Sequence, residues 1–594
     1  MEGTKSGVKD DGRRASGGVS RRTATVLLAF LLLTAVCASV LGFALTLRAR
    51  AYDVRDDLHG ALGCIMRQDA DGAESATAKL EEDSAKLRSL LASPFGRVMA
   101  HIPGIRTEMD GVRRISSIVD EATVQVLRPY VDFMCERPLS GLRTAEGGFD
   151  IALINSYMDF FEEKSPYIIK LTDELGKVSL GSLDRSGKLE SYRAKLSVVS
   201  GYCERVNRFI PVFRTFLGNG EDRTYLFAAQ NSSEIRSSGG FPGAMGIVRI
   251  SGGVLKIEEF RSVSSMLVTN TPSAAGVTPT ENIIFSGRLE APRDADFCPD
   301  FERVAGIWAL SCRVDKGTHI DGVISATPAL IQRALAILGP VTLSDGSVLD
   351  GENAVRVLGY ELYYKYMSYG SNTALGNAVT DALFAETARC VVTAAVERFD
   401  VSDASKYLEL IERSAADRTL ALWFSDPAEQ EAVRAAGLDC GLSRDPAAPK
   451  AGIYFSLSNP SRLGWFLDIT PQLGEAELLE DGSRRYAVTL SFTNTMTQSE
   501  LDSASYYIAG RYNKGFVTGN IYLFAPAGGS VELLGAGGGL VFEAAEYSGL
   551  ELLYSTNIFL GPGETVSLSY TVTTAPGEQA PLEFSMTPTL SDYR

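Results

Sequence analysis

Residues 23–47 contain no charged side chain. As a helix rising 1.5 Å per residue, this run is roughly 37 Å long and exceeds the ~30 Å hydrocarbon core of a bilayer. A helix satisfies its own backbone amides, so it can cross without water. Lys5, Lys9, Arg13, Arg14, Arg21 and Arg22 precede the run against Glu2, Asp10 and Asp11. That net +3 puts residues 1–22 in the cytoplasm by the positive-inside rule and the bulk of the chain on the other side of the cell membrane. The whole chain carries −16, which leaves −19 on residues 23–594. The alternative is a cleaved signal peptide, whose apolar core is normally shorter and ends at a small-x-small site. Small residues between 35 and 44 offer such a site, but the length of the run favours a retained single span. Cys37 is not preceded by a convincing lipobox and reads as a residue within the membrane.

The remainder is long enough for several domains, two to four by length. It has a globular balance, 45% hydrophobic and 22% charged. No long basic run follows residue 22, so nucleic acid is not an expected partner. Cys64, Cys135, Cys203, Cys298, Cys312, Cys390 and Cys440 lie beyond the span and form no CxxC. Their odd number leaves at least one outside any intramolecular pair. Cys298 with Cys312 is the nearest local pair, and sequence does not fix the connectivity. His59, His101 and His319 are too scattered for a histidine-rich metal site.

Residues 48–217 read as a helical stalk or bundle. Leu80, Leu87, Leu90 and Leu91 form an apolar face among Lys79, Glu81, Glu82, Lys86 and Arg88. Residues 151–175 and 189–216 repeat that pattern, with breaks at Gly147-Gly148 and between Gly181 and Gly187. Residues 222–445 alternate strands with helices, which predicts an α/β domain. Strands are expected at 224–229, 244–250, 254–260, 320–324 and 420–424, with a hairpin turn at Ser251-Gly252-Gly253. Helices are expected at 328–338, 352–366 and 378–398, and a further helix opens on Asp426-Pro427 as N-cap and N1. Residues 452–594 predict a β-sandwich. Val488, Leu490 and Phe492, then Val566, Leu568, Tyr570 and Val572, alternate with Ser and Thr at period two. The fold class is therefore α+β and multidomain: a transmembrane helix at 23–47, a helical stalk, an α/β domain and a C-terminal β-sandwich.

The most specific string is Asn231-Ser-Ser-Glu234-Ile-Arg236-Ser-Ser-Gly239-Gly240-Phe241-Pro-Gly243. A strand feeds it and a hairpin leaves it, and its glycines permit turns that a side chain would forbid. The string resembles the signature of the domain of unknown function 4012 family, as do Asp321-Gly322-Val323, Gly339-Pro340-Val341 and Leu422-Trp423-Phe424. Membership of that family implies a bacterial envelope protein with this architecture. A weaker likeness is to the LytR-CpsA-Psr phosphotransferases, which attach lipid-linked glycopolymers to peptidoglycan. It rests on Arg236 before the hairpin and Arg261 after it. It continues in Asp321-Gly322-Val323, in Gly351-Glu352-Asn-Ala354 and in Arg389 with Val391 and Ala394. The paired arginines that hold a pyrophosphate in that family are replaced around Tyr360 and Tyr363, and tyrosine has no bidentate cationic fork. The resemblance thus implies a related fold whose chemistry has moved or been lost, and leaves open whether the chain is an enzyme.

The candidate ligand-binding residues are Glu234, Arg236, Gly239, Gly240, Arg261 and Arg303. Arg236 and Arg261 would clamp a phosphate or uronate; alternatively, Arg236 pairs with Glu234 and fixes the loop. Asp296 and Asp300, beside Asp294, would hold Mg²⁺ near a phosphate, or serve only as loop and N-cap residues. The expected function is a membrane-anchored extracytoplasmic protein that binds an anionic or lipid-linked glycopolymer, or its polyprenyl-phosphate carrier, during envelope assembly. The alternatives are an active phosphotransferase or pyrophosphatase, and a scaffold that binds other envelope proteins.

Overall fold

The computed structural model describes residues 21–144, 148–184, 187–258, 260–368, 370–577 and 579–594, with side chains from residue 31 onward. The basic tail up to residue 20, and Gly147 of the expected Gly147-Gly148 break, lie outside the described residues. The chain divides into two compact units. One reaches to Gly141 and takes in Asp159–Glu204; the other comprises Leu142–Met158 and Arg205–Arg594.

The first unit is helical. Its helices are α1 (Arg21–Met66), α2 (Ala70–Ala92), α3 (Pro94–Met99), α4 (Arg106–Ala122) and α5 (Arg128–Glu136), with parts of α6 (Ile151–Gly176) and α7 (Lys188–Phe216). One helix among the described residues is long and apolar enough to cross a membrane, and it is α1. At 46 residues, α1 runs well past the uncharged stretch. From Val40 onward it carries an apolar stripe, Val40, Phe43, Leu47, Val54 and Leu58, that packs on Leu80, Leu87 and Leu91 of α2. Those three leucines are the face expected from their spacing, and Leu90 lies at its margin. Asp69 caps α2 by accepting from Gly72 N (3.0 Å).

The second unit joins a mixed sheet to two further sheets. Strands β1 (Arg223–Asn231), β2 (Phe241–Ser251), β3 (Val254–Ile257), β4 (Arg261–Ser262) and β5 (Gly322–Ala326) come first. They are followed by a ribbon of β6 (Val341–Thr342) and β7 (Val348–Leu349), then β8 (Leu420–Phe424). The main sheet has the order β3-β2-β1-β5-β8, with β4 beside β2. Only β1 and β5 run parallel. The β2–β3 turn uses Gly252 and Gly253 at φ +55° and +78°, the left-handed pair that a two-residue hairpin requires. Register places Phe227 beside Ile324 and Ile324 beside Leu422, all on one face. The opposite face, with Leu226, Ala228 and Val323, shares a core with Val304, Ile307 and Trp308 of the helix Phe301–Lys316.

The remaining strands are β9 (Lys450–Leu457), β10 (Leu467–Leu478), β11 (Arg484–Asn494), β12 (Val517–Phe524) and β13 (Ser530–Ala536). They end with β14 (Glu543–Tyr547), β15 (Leu550–Leu560), β16 (Thr565–Thr573) and β17 (Glu583–Met586). They form sheets of order β10-β11-β16-β13 and β14-β15-β12-β9-β17. Val488, Leu490, Phe492, Leu568 and Val572 from the first meet Ile453, Phe455, Ile521 and Leu523 from the second in one core. The period-two rows therefore do face inward. All eight cysteines are free, and Cys298 and Cys312 are each buried without forming the local disulfide.

Candidate functional site

The loop between β1 and β2 is buried from end to end. Asn231 Oδ1 accepts from Ser233 N (3.0 Å), and Asn231 Nδ2 donates to Tyr363 Oη (2.5 Å). Gly239 sits at φ +138°, and a Cβ there would lie 2.1 Å from Gln230 Oε1. A Cβ on Gly240 would lie 2.4 Å from the Asn231 backbone. Both glycines let the chain cross back over β1, which is why no other residue fits.

That crossing aims Glu234 and Arg236 inward. Arg236 is 2% exposed, and both Nη atoms bond to the protein while its buried Nε has no hydrogen-bond partner among the described residues. Nη1 donates to Leu457 O (2.7 Å), and Nη2 donates to Glu234 Oε1 (3.1 Å). Its plane lies 4.6 Å from the Phe297 ring. Glu234 Oε2 accepts from Arg462, whose guanidinium stacks 4.6 Å from the Tyr363 ring. Asp294 and Asp296 each stand 3.8 Å from Arg236, and neither Asp296 oxygen accepts a hydrogen bond from the protein. Burial pushes the Asp296 carboxyl well above the usual carboxylate range, against the pull of Arg236.

The expected site residues therefore divide. Glu234, Arg236, Gly239, Gly240 and Asp296 meet in one buried knot that ties the mixed sheet to β9. Arg261 lies exposed on β4, opposite Met245. Arg303 is bidentate to Glu281 (2.7 and 3.0 Å) and donates to Ala275 O (2.7 Å). Asp300 lines a separate cleft. Among the described residues, no group of three or more His, Cys, Asp or Glu is placed to hold a metal; Asp296 lies beside Arg236, whereas Asp300 lines the cleft. Arg462 completes the knot, and no motif announced it.

Residues 220–363 match the family model described as "Protein of unknown function (DUF4012)". This segment is a DUF4012 domain. The match begins just before β1, spans the knot's loop and ends at Tyr363, the ring under Arg462. No curated protein and no solved structure matches the chain.

Beyond the knot, the DUF4012 domain and helices before and after it line a half-open apolar cavity of about 400 Å³. Its floor is the sheet face of Phe227, Val248, Ile324 and Leu422. Its walls are Phe213 and Phe216 of α7, Leu330 and Leu338, Val391 and Val392, and Leu410. Phe227, Ile324 and Leu420 are only half-buried, although they point to the centre of a sheet face. No ionisable residue lines the cavity.

The second concavity, a cleft of about 690 Å³, is lined by Asp300, Glu302, Arg418, Arg434, Asp439 and Arg444 among others. Arg434 is bidentate to Glu302 (2.6 and 2.7 Å), so much of the charge is already matched. Burial pushes the Asp300 carboxyl up to about 6 from an ordinary 3.8. A raised carboxyl destabilises the fold once ionised: the cost is absent below pH 4, grows between pH 4 and 6 and is complete above. The full shift corresponds to about 3 kcal/mol, and water in the open cleft reduces this to roughly 1–2 kcal/mol. Asp300→Asn is therefore expected to gain that much stability at pH 7.5 and almost none at pH 4. Urea unfolding at the two pH values measures it, and an equal gain at both would show that the ionisation is not the cause.

Proposed function

We propose that the protein is a membrane-anchored, extracytoplasmic component of the cell envelope that holds the hydrocarbon tail of a lipid-linked glycopolymer or its polyprenyl-phosphate carrier. The observation that carries this reading is the apolar cavity in the second unit. A pocket of 300–1,000 Å³ is the size that small ligands occupy, and it usually contains a few polar groups that fix orientation. This one has no ionisable lining residue, so it suits a ligand part with nothing polar to recognise. The anchoring helix keeps the chain at the surface where such lipids reside. Each methylene moved from water into the cavity contributes ~0.8 kcal/mol.

Binding is favoured over turnover because Arg236, one half of the expected phosphate clamp, already bonds to protein groups through both Nη atoms. Arg236 is held by Glu234 and Leu457 O, with Asp294 and Asp296 beside it. The knot thus supports the fold that frames the cavity.

The test is retention of lipid by the full-length protein. Detergent-solubilised protein is incubated with polyprenyl phosphate, washed and examined by native mass spectrometry. One bound lipid per chain is expected, displaced by long-chain but not by short-chain polyprenyl phosphates. Absence of a stoichiometric adduct would remove the proposal.

A further inference from the structure

We infer that the α2–α3–α4 corner of the first unit, residues 92–105, is a second membrane contact that lies in the headgroup and upper acyl region of the leaflet where α1 emerges. The inference rests on α1 crossing the bilayer but not on the lipid-tail reading of the cavity. Counting from Thr23, the ~30 Å hydrocarbon core takes twenty residues of helix and ends near Phe43. Residues 31–39 of α1 are all exposed within the unit, and burial begins at Val40 and Phe43. The Phe43 ring meets Phe95 of α3 with centroids 5.3 Å apart. Phe95 therefore sits at the depth where the apolar span ends, and it carries its neighbours there.

Those neighbours suit an interface. Met99 and Ala100 turn inward to the same core as Phe43, while Val98 (62% exposed) and Ile102 (40% exposed) turn outward. Two exposed apolar residues would be unremarked on an ordinary surface. Here they are anchored to the span itself. Lys86 pairs with Glu82 and Asp83, Arg88 with Asp120 and Arg106 with Asp110, while Arg97, on α3 itself, donates its Nε to Ala92 O (2.9 Å). Arg97 is exposed beside Val98, which suits lipid phosphates above an apolar patch. Pro94 at N1 of α3 and the Ser93 cap, which accepts from Gly96 N (3.0 Å), hold the corner in shape.

The experiment uses the full-length protein in nanodiscs of phosphatidylcholine and phosphatidylglycerol doped with a phospholipid bearing an acyl-chain diazirine. After irradiation, mass spectrometry locates the adducts. Label is expected on residues 92–105 as well as within 23–47, and Val98→Asp with Ile102→Asp should cut the corner label at least fivefold while leaving label on the span. Both positions are exposed, so the double variant is expected to fold. Label confined to 23–47 in the natural protein would overturn the inference, as would corner label that the double variant does not change. The lipid-retention test can fail without affecting this result, so the two proposals are separable.

Discussion

Arg236→Ala is expected to destabilise the second unit by about 3–5 kcal/mol, the cost of removing one partner from a buried ion pair. The loss has three parts. Glu234, itself 5% exposed, keeps only Arg462; the Leu457 carbonyl loses its 2.7 Å donor; and the Phe297 ring loses one of its two cations and keeps Arg288. The Asp296 carboxyl, already raised by burial, loses the cation that pulls it down and moves further up. Arg236→Lys should recover less than half of the loss. A single ammonium cannot serve Glu234 and Leu457 O together while lying flat on a ring. Trp308, Trp423 and Trp465 are the chain's three tryptophans and all belong to the second unit, so tryptophan emission during urea unfolding reads this unit alone. A loss under 1 kcal/mol would mean that the knot is incidental to stability.

Local structure was written plainly in the sequence. The helix Pro328–Leu338 and strand β8 (Leu420–Phe424) stand where their punctuation and apolar runs place them. Asp426 caps its helix as expected, accepting from Ala428 N (2.8 Å) and Glu429 N (3.1 Å). Period-two alternation located β11 and β16 because each has one wet and one dry face. The third strand is shorter than expected, ending at Ile257 rather than 260, as the pairing with β2 passes to β4.

What escaped was everything set by long-range pairing. Arg462 reaches Glu234 from 228 residues away in the chain, and nothing around Ser461-Arg462-Leu463 marks it as a partner. Asp294, Asp296 and Asp300 form an acidic cluster in the sequence that leaves open a Mg²⁺ site or plain loop and N-cap roles. The 3₁₀ turn Pro292–Phe297 ends at Cys298, whose backbone is extended. The Asp296 carboxylate is thereby directed at Arg236 and that of Asp300 into the cleft beside Asp439. The cavity was equally hidden, since Phe227, Ile324 and Leu422 each read as ordinary core. Only strand register puts them side by side, and only the spacing of the covering helices leaves room above them.

That room gives the second large effect. Val391 and Ala395 lie four residues apart on the helix Thr373–Glu397, on the face that lines the cavity. Val391 is half-buried and Ala395 exposed, so larger side chains there have space to enter without displacing packed core. Val391→Trp with Ala395→Trp should fill the space that a lipid tail would occupy. Displacing about four methylenes at ~0.8 kcal/mol each removes about 3 kcal/mol of binding. That corresponds to roughly a 100-fold weaker hold on polyprenyl phosphate. The fold should survive, because a filled cavity restores dispersion contacts that a void forfeits. Leu478→Trp, at a position 72% exposed on β10, is the control and should leave retention unchanged. Unaltered lipid retention in the double variant, with the thermal midpoint preserved, would place the tail elsewhere. Equal losses in the double variant and the control would point to a non-specific effect of added tryptophan. Loss in the double variant alone would tie the tail to the face of the sheet that Phe227, Ile324 and Leu422 form.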